Sequence, residues 1–210
     1  MKSRKGFSQS NNSDGAQSPS DANLLDKLSP EEAMTVLRYM LEKHPELRSE
    51  AQIFGTQLVS SSSIEDIAEE VHYQITSIDL ENLNERAGAH SWGYVEPTEA
   101  AFELLQEAVE DLVTDMQRKA ELGLGSAAEV VCVGIVEGLY QARHTESDGA
   151  LGWAPDFPSE QAHSIVEKYL QASRPEIRNT AQESLMKTLA TRVPQWAEGL
   201  KRTADRALVK

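Results

Sequence analysis

The sequence is poor in cysteine and in aromatic residues: among its 210 residues, Cys132 is the one cysteine and aromatics make up 6%. A single cysteine excludes an intramolecular disulfide and argues against a zinc site built on thiolates. No apolar run approaches the roughly 18 residues that would predict a transmembrane helix. The N-terminal residues MKSRKGFSQSNNSDG include basic side chains, but no apolar segment follows them, as one would in a secretory signal. We therefore expect a cytoplasmic protein that is not inserted in a membrane.

Basic residues are scarce in the central part of the chain. Residues 29–171 carry eight Lys/Arg against 27 Asp/Glu, whereas residues 172–210 carry eight against four. A surface as acidic as the central part repels phosphate backbones, so we expect no direct binding of nucleic acid. The basic end is predicted to pack on the acidic body. Attachment to a membrane through a basic helix at 194–208 is the less favoured alternative.

Motifs for several chemistries are also missing. There is no Gly-x-Ser-x-Gly elbow, no Gly-x-Gly-x-x-Gly turn and no Gly-x-x-x-x-Gly-Lys-Ser/Thr loop. Two Glu-x-x-His pairs could suggest a di-metal bundle, but helical phase points Glu69/His72 and Glu160/His163 away from the apolar face of their helices. Cys132 lies in an apolar segment, as a small core residue would. We predict no metal site, no cofactor and no catalytic residue, and we lean against an enzyme without excluding one.

What the sequence contains in abundance is helical periodicity. Residues 1–27 are polar and predict a disordered tail, whereas 28–210 predict a single all-α domain of about seven helices arranged as antiparallel hairpins, either solenoid-like or an irregular bundle. The first helix is expected after the capping box in residues 29–32, SPEE. A third helix is expected after the cap Ser63, and its apolar spacing allows an extension through Leu83.

The most apolar segment is 126–143, SAAEVVCVGIVEGLYQAR. A buried strand over 130–136 is the alternative, but the length and the lack of turn residues favour a buried helix. On a helix, Ala127, Gly134 and Gly138 share one edge, and we expect another helix to approach closely there.

Two internal echoes accompany the helices. GAHSWGYVEPTEAA at 88–101 matches GALGWAPDFPSEQA at 149–162 in Gly, Ala, Trp, Pro, Glu and the final Ala. PELRSEAQ at 45–52 matches PEIRNTAQ at 175–182. Repeated helical hairpins would produce both echoes. The pattern over 29–191 resembles α-solenoids of the HEAT or tetratricopeptide type at the level of architecture only, and this resemblance implies packed helical hairpins but no particular binding residue.

The candidate functional residues lie mostly at helix starts. There, an aromatic side chain usually packs back on the first turn, and it can also form a patch that receives a partner. The candidate partner-binding residues are Trp92, Tyr94, Trp153, Phe157 and Trp196. We expect a non-enzymatic adaptor or regulatory module that binds another protein, in particular a basic segment, through an acidic surface. The alternative is an enzyme or small-ligand protein with a site at the Trp92/Trp153 loops, using His90, Tyr94 and Asp156.

Overall fold

A computed structural model describes residue 25 and residues 27–91, 93–145 and 147–208. These residues form ten α-helices and one two-stranded antiparallel sheet, which confirms the all-α class with more helices than the seven predicted. Nearly all of the predicted tail 1–27 lies outside the described residues. The chain divides into two compact units, residues 1–53 and 54–210, and each is described by itself. The predicted single domain over 28–210 stays a prediction.

In the first unit, helix α1 (Pro30–Lys43) begins at the predicted capping box. The Ser29 N–H donates to Glu32 Oε2 at 2.9 Å, and the Glu32 N–H donates to Ser29 Oγ at 3.2 Å. A 3-10 turn at Pro45–Leu47 follows, and α2 (Arg48–Val59) begins in this unit. No residue of α1 is buried, so its apolar face is exposed instead of packed as its spacing suggested. The exposed apolar side chains of α1 include Met34, Val36, Leu37 and Met40.

The second unit contains the remaining elements. They are α3 (Ile64–Thr76), α4 (Leu80–Arg86), β1 (Gly88–His90), β2 (Gly93–Val95), α5 (Pro97–Glu121), α6 (Gly125–Ala142), α7 (Ala150–Trp153), α8 (Phe157–Ala172), α9 (Arg178–Arg192) and α10 (Ala197–Ala207). Among the helices that the structure describes, none is both long and apolar enough to cross a membrane.

The predicted extension of the third helix through Leu83 is wrong. Helix α3 begins at the predicted cap, where the Asp66 N–H donates to Ser63 Oγ, but it ends at Thr76. A second capping box then starts α4: the Asn82 N–H donates to Asp79 Oδ1 at 3.0 Å and the Asp79 N–H donates to Asn82 Oδ1 at 3.1 Å. Because this box satisfies the first donors of a new helix, it favours a restart over continuation.

Helix α6 is the centre of the core, and the alternative of a strand over 130–136 is excluded. The predicted close approach at its glycine edge is confirmed. A Cβ atom on Gly134 would lie 2.6 Å from Ile67 Cβ, and one on Gly138 would lie 2.6 Å from the Ala68 carbonyl oxygen. Both distances are shorter than van der Waals contact, so the packing of α3 against α6 requires glycine at these two positions.

Four helices, α3, α5, α8 and α9, pack around α6. These packed helices are compatible with a helical-repeat architecture. Polar contacts join α6 to α9: Ser184 Oγ donates to Glu129 Oε1 at 2.8 Å, and Arg192 Nη1 donates to Glu137 Oε2 at 2.8 Å. Arg192 Nη2 also pairs with Glu65 Oε1 at 2.7 Å, which adds α3 to the same network.

The two Pro-Glu-x-Arg segments adopt the same local structure. Each turns through its Pro-Glu-x residues and begins a helix at the arginine. Arg48 Nε donates to the Leu41 carbonyl oxygen at 3.2 Å, and Arg178 Nη2 donates to the Gln171 carbonyl oxygen at 3.2 Å. In both, the arginine therefore satisfies a carbonyl group near the end of the preceding helix.

The other echo diverges in structure. Gly88, with φ of +104°, opens a hairpin in which it pairs with Val95, whereas Gly149 has φ of −84° and precedes the short helix α7. Only the helix starts correspond: Pro97 is the first residue of α5, and Pro158 is the second residue of α8. The predicted corner at 88–101 is thus a β-hairpin followed by a helix, a strand pairing that the sequence analysis did not predict.

Candidate functional site

Two clefts that share Arg86 and Glu103 lie beside helices α4 and α5. One has a volume of about 470 Å³ and is lined by Glu85, Arg86, His90, Val95 and Glu103. The other has a volume of about 430 Å³ and is lined by Arg86, Glu103, Gln106, Glu107 and Glu110. We call these two together the acidic cleft, because four glutamates and one arginine line it.

Arg86, the last residue of α4, pairs with two glutamates of α5. Its Nη1 donates to Glu107 Oε2 at 2.8 Å, its Nη2 donates to Glu107 Oε1 at 2.5 Å, and its Nε lies 3.4 Å from Glu103 Oε2. The hydrogen bonds from Arg86 hold the pKa of Glu107 below its usual value, and those to Glu107 raise the pKa of Arg86. Glu103 and Glu107 are one turn apart on α5, so they present both carboxylates to a single guanidinium.

The three residues of the predicted small-ligand site are in different places. His90 lines the acidic cleft, and its Nε2 lies 2.8 Å from the Arg86 carbonyl oxygen, to which it donates when protonated there. Tyr94 is 63% exposed on β2. Asp156 precedes α8, where its carbonyl oxygen accepts hydrogen bonds from the Glu160 N–H and the Ser159 hydroxyl. Neither Tyr94 nor Asp156 is among the described residues that line the cleft with His90.

The five candidate aromatic residues differ in exposure. Trp92 lies outside the described residues, while Tyr94 and Trp153 are 63% and 47% exposed. Phe157 is 1% exposed and packs edge-on against Phe102, with ring centroids 5.0 Å apart. Trp196 is half-buried and packs edge-on against Tyr140 at 5.1 Å. Phe157 therefore contributes to the core, whereas the side chains of Tyr94 and Trp153 are each accessible to a partner.

The cysteine and the metal-ligating residue types were also located in the described part of the structure. Cys132 is fully buried, and burial, followed by the charge of Glu129, raises the pKa of its thiol. A thiol whose pKa is raised stays protonated and is a poor nucleophile. The described residues contain no group of three His, Cys, Asp or Glu side chains that could hold a metal ion.

None of the glutamates of the acidic cleft, nor its arginine, was among the predicted site residues. The spacing of Glu103, Glu107 and Glu110 is visible in the sequence and predicts an acidic helix face. Nothing in the sequence, however, places Arg86 against that face, because the turn made by the β-hairpin between α4 and α5 decides it. The missing information was therefore tertiary.

Comparison with known proteins finds no match: no family model, no curated protein and no solved structure matches the chain. The structure defines an all-α protein with an acidic cleft. Its function must therefore be inferred from the chemistry of its own surface.

Proposed function

We propose that the chain is a non-enzymatic adaptor or regulatory module whose acidic cleft binds a basic segment of another protein. The observation that carries this proposal is the composition of the cleft, in which Glu85, Glu103, Glu107 and Glu110 surround one arginine. Complementary charge of this kind selects the partner and speeds its association. A cytoplasmic setting and a helical-repeat origin of the fold belong to the same proposal.

The contacts of Arg86 indicate how a basic ligand would be held. The Glu107 carboxylate accepts two hydrogen bonds from a single guanidinium, which is the paired geometry that distinguishes arginine from lysine. Glu85 and Glu110 line the cleft on either side of this pair. An arginine or lysine of a partner segment can reach these two carboxylates while Arg86 keeps its own contacts.

Exposed aromatic residues offer a second contact surface. Tyr94 is the neighbour on β2 of Val95, which lines the cleft, and the Tyr94 side chain points to the opposite face of the hairpin because strand side chains alternate. Tyrosine and tryptophan side chains are enriched among residues that contribute most to binding, since they bury a large area at small entropic cost. We assign Tyr94 and Trp153 as the aromatic contacts of the partner and retain the prediction for Trp92. Phe157 packs against Phe102 and Trp196 against Tyr140, so neither is assigned as a contact of the partner.

A fluorescent arginine-rich peptide titrated with the full chain tests the proposal. We expect binding that weakens as the salt concentration rises, because exposed charges are screened beyond about 10 Å at 0.1 M salt. Glu85→Gln/Glu110→Gln should reduce affinity by about three- to tenfold, since each exposed pair contributes roughly 0.2–1 kcal/mol.

The matched control is Glu176→Gln/Glu183→Gln, which removes the same charge at two exposed positions outside the cleft. This variant should bind as the unmodified chain does. Equal losses in the two double variants, or binding that does not change with salt, would show that the peptide responds to net charge or to another surface, and the proposal would fail.

A further inference from the structure

A separate cleft lies between α8 and α10, and α10 belongs to the basic C-terminal part of the sequence. It has a volume of about 460 Å³ and is lined by His163, Ser164, Glu167, Thr203 and Arg206. We call it the basic cleft. It shares no lining residue with the acidic cleft.

We propose that the basic cleft binds a phosphate group, with Arg206 as the charged contact and the hydroxyl groups of Ser164 and Thr203 as hydrogen-bond donors. Arginine recognises phosphate because its planar guanidinium offers several N–H donors, and hydroxyl groups commonly complete such sites. The volume of the cleft admits a small phosphate ester. This inference is independent of the function proposed for the acidic cleft.

His163 and Thr203 together provide a donor whichever nitrogen of the imidazole is protonated. His163 Nδ1 and Thr203 Oγ1 lie 2.7 Å apart. If Nδ1 carries the proton, it donates to the threonine oxygen, and the threonine hydroxyl hydrogen is available to an anion. If Nε2 carries the proton, the threonine hydroxyl donates to Nδ1, and the Nε2–H becomes the donor.

The charges around His163 favour an anion. Burial, followed by the positive charges of Arg206 and Arg202, lowers the pKa of His163. Glu167 lines the same cleft, and Glu198 pairs with Arg202 at 3.8 Å, so both carboxylates reduce this positive charge. Both arginine charges therefore act on the imidazole in the same direction as burial.

Arg206 is available for a ligand. Its Nε donates to the Arg202 carbonyl oxygen at 3.3 Å, a bond that keeps its stem along α10. The ion pairs between side chains of the described residues do not include Arg206. Arg86 and Arg192, by contrast, each contact two glutamates.

Gly199 allows the imidazole to lie against α10. A Cβ atom at this position would come within 3.3 Å of His163 Cε1 and 3.5 Å of Nε2. The first distance is tighter than nine in ten real contacts of a Cβ atom, so a larger residue would require the ring to shift by a few tenths of an ångström. The glycine therefore leaves room for the ring beside α10.

The test is a titration of the full chain with inorganic phosphate, followed by NMR of the His163 imidazole, which is assigned by comparison with His163→Gln. We expect phosphate to raise the pKa of His163, because a nearby anion favours the imidazolium form. Arg206→Met should weaken phosphate binding at least about tenfold, as expected for loss of a charge-assisted contact. Lys201→Met is the matched control, since it removes one positive charge from α10 outside the cleft.

A second arm distinguishes a soluble phosphate from a lipid headgroup. It measures co-sedimentation with phosphatidylcholine vesicles that contain phosphatidic acid. Binding of free phosphate without vesicle binding assigns a soluble ligand, and vesicle binding that is lost in Arg206→Met assigns the headgroup. No response of His163 to phosphate together with no vesicle binding overturns the proposal, as does equal weakening by Arg206→Met and Lys201→Met.

Discussion

The acidic and basic clefts belong to the same compact unit and have similar volumes, about 430 and 470 Å³ for the two parts of one and 460 Å³ for the other. In each, an arginine acts on a titratable neighbour, and the pKa of that neighbour is lowered. Arg86 lowers the pKa of Glu107 by hydrogen bonding, which stabilises the charged carboxylate. Burial, together with the charge of Arg206, lowers the pKa of His163 by disfavouring the charged imidazolium.

The acidic and basic clefts have similar volumes, but they differ in whether their arginine is paired with carboxylates. Arg86 is neutralised by its own carboxylates, so the surplus charge of the acidic cleft is negative. Arg206 lines its cleft beside a single glutamate, Glu167, with Arg202 also acting on His163. Similar volumes therefore favour ligands of opposite charge.

We expect the largest effect from Gly138→Val, a substitution in the core that should disrupt both clefts. In Gly138→Val, the added side chain would overlap α3, since even a Cβ atom would lie 2.6 Å from the Ala68 carbonyl oxygen and 2.7 Å from Val71 Cβ. We expect the free energy of unfolding to fall by about 1–3 kcal/mol or more, as overpacked cores do. Urea denaturation measures this loss, and peptide and phosphate binding should decline together.

Gly55→Ala is the control for that substitution, because nothing lies within 4 Å of a Cβ atom at Gly55 in α2. It should raise stability by roughly 0.5–1 kcal/mol, the helix preference of alanine over glycine. Unchanged stability in Gly138→Val would contradict the close packing of α3 on α6.

Arg86→Met tests the role of the paired arginine in the acidic cleft. We expect the pKa of Glu107 to rise toward its usual value and the arginine-rich peptide to bind about threefold more tightly, since the cleft loses its one cation. Because the pKa of Glu107 is lowered on folding, its contribution to stability is present above the unfolded-state pKa and is lost as the pH falls through the folded-state pKa. In the variant, this acid-dependent loss should shrink, as NMR titration and urea denaturation at several pH values would show. Weaker peptide binding would instead indicate that Arg86 positions the glutamates for the ligand.

The smallest effect is expected for Arg202→Met on the basic side. The pKa of His163 should rise, but by less than in Arg206→Met, because Arg206 is the larger of the two charge effects. The pKa of His163 is lowered on folding, so its contribution to stability is present above the unfolded-state pKa and lost as the pH falls through the folded-state pKa. Both variants should lessen that loss. NMR titration of the imidazole measures the pKa of His163 in both variants. A larger rise in Arg202→Met than in Arg206→Met would show that Arg202 has the larger effect on His163.

Local patterns predicted much of the fold. The capping box at Ser29 and Glu32, the cap at Ser63, and the glycine edge of α6 depend on neighbours in the sequence or on one helix face, and all three are confirmed. The break before α4 was missed because apolar spacing through Leu83 was weighed above the Asp79–Asn82 box. The hairpin was missed because it depends on positive φ at Gly88 and Gly93. Glycine can adopt positive φ, but its presence in a sequence does not show that it does so.

The sites were harder to predict than the fold. Each cleft joins residues from separate helices, as His163 on α8 meets Thr203 on α10, and no spacing rule along one helix connects them. The exposure of aromatic residues was equally hidden. Trp153 and Phe157 are four residues apart, and both are aromatic residues near a helix start. Nevertheless, Trp153 is half-exposed and Phe157 is in the core. Packing against Phe102 decides this, and Phe102 comes from a different helix.

The contacts between α6 and α9 act as a register lock. Glu129 meets Ser184 and Glu137 meets Arg192, so both contacts have the same offset along the chain and the two helices run in the same direction. A slip of α9 by one helical turn, about 5.4 Å, would unpair both at once and would also pull Arg192 from Glu65. The two contacts therefore favour one register of α9 along α6 over its neighbours.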